Sequence, residues 1–141
     1  MTETQAEFRR LLRATFADVP AAADMILGYC SVSETWDNIV DGDDVSPGDA
    51  DANFRWLCQE LPVNPFFLQY RESIVAQTSI ALDAWDFSDK APEARIKAFD
   101  ICTELSALCL YLIGGPARVR RDSPKIREGV LALLRENDKK D

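Results

Sequence analysis

The stretch Ile101–Pro116 reads ICTELSALCLYLIGGP, and as far as Ile113 it is apolar on almost every side of a helix, the pattern of a helix buried at the centre of a fold. Ala91, Pro92 and Glu93 supply a start signal, and Gly114, Gly115 and Pro116 supply a stop. A central helix is therefore expected over about residues 93–113. Something must cover it, and the rest of the chain has the right pattern. Phe8, Leu11, Leu12, Thr15 and Phe16 recur at three- and four-residue steps. After an N-cap acid at Asp18 and a first-turn Pro20, so do Met25, Ile26, Tyr29, Ser33, Trp36 and Val40, in a helix with a break expected near Gly28 or Ser31. Gly42, Pro47 and Gly48 end it.

Beyond that loop, Asp49 or Asp51 is expected to cap a shorter helix whose Phe54, Leu57, Cys58 and Leu61 face the core. Asn64 and Pro65 open a longer one carrying Phe67, Tyr70, Ile74, Ala81 and Trp85. Ser123 and Pro124 open the last, with Ile126, Val130, Leu133 and Leu134. No strand-like alternation competes, so the expected fold is all-α: one domain over residues 1–141, a bundle of five to six helices around the central one. Covering that helix on all sides asks much of short neighbours, and a homodimer is the corresponding expectation.

The chain has 141 residues, 47% of them hydrophobic and 28% charged, the composition of a single folded domain. It contains no histidine. That removes His-based triads, His-ligated metal sites and a His general base. The net charge of −8 repels phosphate backbones, so general nucleic-acid binding is not expected. The longest apolar run, Ala107–Ile113, falls well short of the roughly 20 residues that span a bilayer, and MTETQAEFRRLL lacks the form of a signal peptide. No membrane association and a cytoplasmic location follow as expectations. Cys102 and Cys109 lie two turns apart on one helix, too far for a bond, and no C-x-x-C occurs, so Cys30, Cys58, Cys102 and Cys109 are expected as reduced thiols.

Charge is unevenly distributed. Nine acids and no Lys or Arg lie between Asp18 and Asp51. On a helix, Glu34, Asp37 and Asp41 share one face, and an unrelieved acidic stripe asks for a counter-charge. Mg²⁺ suits it, being a hard cation that takes carboxylate and phosphate oxygens, although a solvated helix end and turn-forming acids account for the same residues. Asp100 and Glu104, on the central helix, could face this group from across the bundle, with Asp100 as a further ligand and Glu104 as a catalytic acid or base. Ion pairing with Lys97, Arg95 or the basic cluster is the alternative. Asp83 and Asp86 form a further acidic pair.

The basic cluster Arg118, Arg120, Arg121, Lys125 and Arg127 straddles the expected helix start at Ser123 and Pro124, where free N–H groups favour anions. Arg118, Arg120 and Arg121 are thus candidate phosphate or nucleotide ligands, with pairing to the acidic segment as the alternative. Asp49, Asp51, Asn53 and Glu60 imitate EF-hand positions, but Phe54 stands where the loop needs glycine, and helix capping explains them better. Trp36, Trp56 and Trp85 read as core and groove packing.

Two resemblances follow from short motifs. WDNIVDGD at Trp36–Asp43, LPVNPF at Leu61–Phe66, Trp85 and IGGP at Ile113–Pro116 together resemble small all-α proteins carried by phages and prophages. That likeness implies no particular activity, and would place the protein in a host cytoplasm. Separately, Glu34-x-x-Asp37 is similar to a half-motif of the MazG-like nucleotide pyrophosphatases, in which facing acidic motifs hold Mg²⁺ against a nucleotide. In this chain Asp83-x-x-Asp86 comes later than that family's second half-motif, and the step from Asp100 to Glu104 is one residue wider. Two functions are therefore expected: a Mg²⁺-dependent phosphoryl or pyrophosphoryl hydrolase acting on a nucleotide-like substrate, or a non-catalytic acidic protein that meets a basic partner surface.

Overall fold

The first helix, α1 (Glu3–Thr15), opens on a reciprocal cap in which Thr2 Oγ1 accepts from the Gln5 amide and Gln5 Oε1 accepts from the Thr2 amide. The computed structural model describes residues 1–90 and 97–138, and the side chains of residues 1–87 and 101–136. Five further helices follow: α2 (Pro20–Asp41), α3 (Pro47–Arg55), α4 (Pro65–Gln69), α5 (Arg71–Lys90) and α6 (Lys97–Asp138). No strand occurs among the described residues, and the fold is an all-α bundle.

The core is built from the expected stripes. Phe8, Leu12 and Phe16 of α1 and its cap, Met25 and Ile26 of α2, and Ile74 of α5 are buried against Leu105, Cys109 and Leu110 of α6. α6 touches α1, α2 and α5 and is central as its sequence requires; among its described large apolar side chains before Gly115, only Tyr111 is turned mainly outward. A smaller cluster of Ala81, Trp85 and Ile101 joins α5 to the first described turns of α6. The polar side chains within this core are bonded: Ser106 donates to the Cys102 carbonyl at 2.6 Å, as a buried hydroxyl must.

Helix boundaries depart from expectation in several places, each for a local reason. α2 runs unbroken through Gly28, because that glycine serves close packing: a Cβ there would fall inside the indole of Trp56. The cap of α3 is Ser46, whose Oγ accepts from the Asp49 amide; Asp49 and Asp51 sit inside the helix. A π-helical turn, Trp56–Glu60, then inserts one residue, with the Leu61 amide reaching back to the Trp56 carbonyl, and a 3₁₀ turn, Leu61–Val63, follows. The extra residue rotates the helix face. Phe54, Leu57 and Cys58, expected to face inward, are exposed, whereas Trp56 packs edge-on against Tyr29. Asn64 does cap α4, accepting from the Phe66 and Phe67 amides, and its Nδ2 donates to the Ala21 carbonyl, fastening the cap to α2.

In α6 the helical path is interrupted at Gly115 (φ 69°), a left-handed conformation that suits glycine. Pro116 restarts the helix, at the position where a missing N–H costs least. Ser123 and Pro124 are therefore not a helix start, as expected from the sequence, but lie inside the continuing helix. Pro124 is exposed, and its ring nitrogen has no N–H to donate to the carbonyl four residues earlier.

The cysteines also differ from expectation. Cys30 of α2 is bonded to Cys102 of α6, with Cα atoms 5.7 Å apart, and only Cys58 and Cys109 are free. Spacing along the chain ruled out a bond within one helix; the antiparallel approach of two helices made one between them. The bridge closes 72 residues of chain, worth about 4 kcal/mol in a chain-entropy account. Burial pushes the Cys109 thiol up to about 12, so at neutral pH it is a packing group rather than a nucleophile.

Thiol titration in denaturant should thus find two free thiols without reductant and four after reduction, and in the native state only exposed Cys58 should react. Four thiols without reductant would contradict the bridge. Gly28→Ala should cost about 1–3 kcal/mol in urea unfolding, as overpacking does, and Trp56→Ala should remove most of that cost in the double variant.

Candidate functional site

The acidic half of α2 does not act as one group. Glu34 and Asp37 line a cavity of about 510 Å³ between α1, α2 and α6, whose wall also includes Arg9, Asp49, Glu136 and the Cys30–Cys102 bridge. Asp41, two turns beyond Glu34, is exposed at the last residue of α2, outside this cavity. The stripe splits because α2 outruns the elements that enclose it: the side of the helix bearing Glu34 and Asp37 looks into the bundle's end, and the next turn looks into solvent. Among the described residues no three Cys, Asp or Glu side chains gather as a metal site would require. The side chain of Asp100 lies outside the described residues.

Glu104 pairs with Arg127 Nη1 at 3.3 Å, both side chains about half exposed. The pairing alternative read from the sequence is the arrangement adopted here, with a partner from the basic cluster. Asp83 and Asp86 are exposed on α5. The EF-hand-like positions do not cap α3, since Ser46 does. Asp51 pairs with Arg55, and Asn53 accepts from Ser31 and donates to Thr35, tying α3 to α2.

Arg118 was a candidate phosphate ligand, and its guanidinium is already occupied. Nη1 and Nη2 grip the Asp18 carboxylate at 2.8 and 3.0 Å, Nη2 also donates to the Thr15 carbonyl, and Nε donates to Asp122 at 2.9 Å. With its side chain only 13% exposed, Arg118 is a strap holding the end of α1 and the following turn to α6. This also corrects the expected cap of α2. Asp18 spends its carboxylate on Arg118, and Val19 takes the N-cap position with no side-chain bond. Arg121 makes a bidentate contact with Asp122 on the surface, and Arg120 is exposed. Because Ser123 and Pro124 do not begin a helix, the cluster has no row of free N–H groups there for an anion.

The electrostatics agree. The Arg118 guanidinium holds the Asp18 carboxyl below its usual range, Arg121 and Arg118 do the same for Asp122, and the carboxylates hold Arg118 still more firmly protonated. A second cavity, about 620 Å³, lies beside the π turn, with Arg9, Arg13, Trp56 and Gln59 in its wall. Sequence reasoning did not anticipate it, and a π turn leaves no signal in hydrophobic periodicity.

What the sequence did not reveal is the surface beyond the core. Trp36 and Val40, read as continuing the buried stripe of α2, are exposed, and Ile39 beside them is too. The signal was present in the acids around them: Asp41, Asp43 and Asp44 would resist burial unpaired.

Arg118→Ala should destabilise the fold by about 2–3 kcal/mol at pH 7, since it leaves half-buried acceptors without their charged donor. Carboxylates with lowered folded-state values contribute stability that is full above about pH 4 and drains as pH falls through those values. The gap between wild type and Arg118→Ala in urea unfolding should therefore narrow at about pH 3; a constant gap would show that lost packing, not charge, is responsible.

No family model matches the chain, and no curated protein or solved structure matches it significantly.

Proposed function

We propose that this chain is a non-catalytic acidic interaction protein that binds a basic partner surface. One observation carries the reading. Several acids elsewhere have a cation beside them: Glu3 has Arg10, Asp24 has Arg13, Asp51 has Arg55, Asp18 and Asp122 have Arg118, and Glu104 has Arg127. Between Arg13 and Arg55 the sequence holds nine acids and no Lys or Arg, so the end of α2 and the loop after it have no cation of their own. Among the described residues no ion pair joins Glu34, Asp41, Asp43, Asp44 or Asp49 to a cation, and all five are exposed. Such a field steers and selects a cationic partner. The occupied guanidinium of Arg118 and the surface pair of Glu104 give less support to nucleotide chemistry.

A Mg²⁺-dependent hydrolase is the second reading, favoured by the placement of Glu34 and Asp37 on one cavity with Asp49 and Glu136. A location in the cytoplasm, a host's if the chain is phage-borne, belongs to the same proposal. No described helix is long and apolar enough to cross a membrane, whereas the Cys30–Cys102 bond is of a kind that persists in oxidising compartments.

Calorimetric titration with poly-lysine should give binding at low salt that weakens steeply as ionic strength rises, and Asp41→Asn, Asp43→Asn, Asp44→Asn combined should weaken it further. Absence of binding at low salt would overturn the interaction reading. For the second reading, millimolar Mg²⁺ or Mn²⁺ should raise the melting temperature of wild type by about 3 °C or more and leave Glu34→Gln, Asp37→Asn unmoved. An unresponsive wild type would remove it.

A further inference from the structure

We propose that the last two turns of α2 are the docking face for an amphipathic basic helix of another protein. This rests on the interaction reading above and specifies its face and the form of its partner. One stripe of side chains packs α2 into the bundle. Met25, Ile26 and Ser33 are buried, and Tyr29 is half-buried against Trp56. Trp36 and Val40 fall three and seven residues after Ser33, on the same side of the helix, and yet are 53% and 49% exposed; Ile39, adjoining Trp36, is 51% exposed. The core-facing stripe thus runs on past the core. A different side of α2 is taken by α3 through the Ser31–Asn53 and Asn53–Thr35 hydrogen bonds.

The occupant follows from geometry and charge. Residues at i, i+3 and i+4 form the ridge that receives another helix, as earlier turns of this stripe do within the bundle. An exposed Trp beside two branched aliphatic residues is the composition of an interface centre rather than of ordinary surface. Around it stand Glu34, Asp41, Asp43 and Asp44, all exposed and, among the described residues, without a paired cation. The flanking basic residues in sequence, Arg13 and Arg55, are committed to Asp24 and Asp51. An apolar partner without positive charge would strip water from these carboxylates with no compensation. Lys or Arg flanking an apolar stripe would supply it. Nucleic acid and anionic lipid are repelled by the same field.

The full chain is titrated with two peptides of identical Leu and Lys composition, one arranged at helical spacing and one scrambled. The amphipathic peptide should bind about tenfold more tightly or better and shift tryptophan emission to the blue. Trp36→Ala and Val40→Ser should each lower its affinity by about tenfold and leave the melting temperature in place, since both side chains are exposed. Trp36→Ala should also abolish the emission shift. Equal binding of the two peptides, indifferent to Trp36→Ala, overturns the docking face and leaves the acidic interaction reading standing. No binding of either at low salt overturns both. A wild-type dimer in light scattering that Trp36→Ala converts to monomer assigns the face to a second copy of this chain and overturns the basic-helix proposal.

Discussion

A helix that is apolar on nearly every side has to be enclosed on nearly every side, and the segment of α6 before Gly115 imposes that requirement on the whole chain. α2, α5 and α1 all pack on α6 to meet it. Leu105, Cys109 and Leu110 are almost wholly removed from solvent by this arrangement. Each fully buried aliphatic side chain of this kind contributes about 1.5–3 kcal/mol relative to exposure. The Cys30–Cys102 bond lies within the α2–α6 contact and makes covalent what packing had already brought together.

The remaining elements adjust to that packing. Gly28 lets the Trp56 ring approach the backbone of α2, and a π turn begins at Trp56 and leads into the 3₁₀ turn before α4. Asn64 then secures the next helix to the Ala21 carbonyl of α2. At the far end, Arg118 gathers Thr15, Asp18 and Asp122 into one hydrogen-bonded node, joining α1 to the part of α6 that follows the Gly115 kink. Such an arginine is a structural charge. Its donors are consumed by the fold, which leaves little for a phosphate.

Two kinds of acid differ in their surroundings. Asp18 and Asp122 at the node are held by the largely buried Arg118 guanidinium. Those at the end of α2 and in the following loop are exposed and flank an apolar stripe that the bundle does not cover. A fold gains nothing for itself from this combination, because like charges repel and exposed Trp36 forgoes burial. The proposed docking of a basic partner would supply both the missing cations and the missing cover.

The sequence by itself determined the helices, because a 3.6-residue period and a cap such as Asn64 are properties of a few neighbouring residues. It determined equally that residues 101–113 are central and that the fold carries a strongly acidic segment. It did not determine which residues would meet. The bond between Cys30 and Cys102, the capture of Asp18 by Arg118 in place of a cap, and the separation of Asp41 from the cavity holding Glu34 and Asp37 depend on where one helix passes another. The exposure of Trp36 and Val40 was hidden for the same reason: their spacing matches that of Met25 and Ser33, and only the distance along α2 over which neighbouring helices cover it decides that the stripe is core at one end and surface at the other.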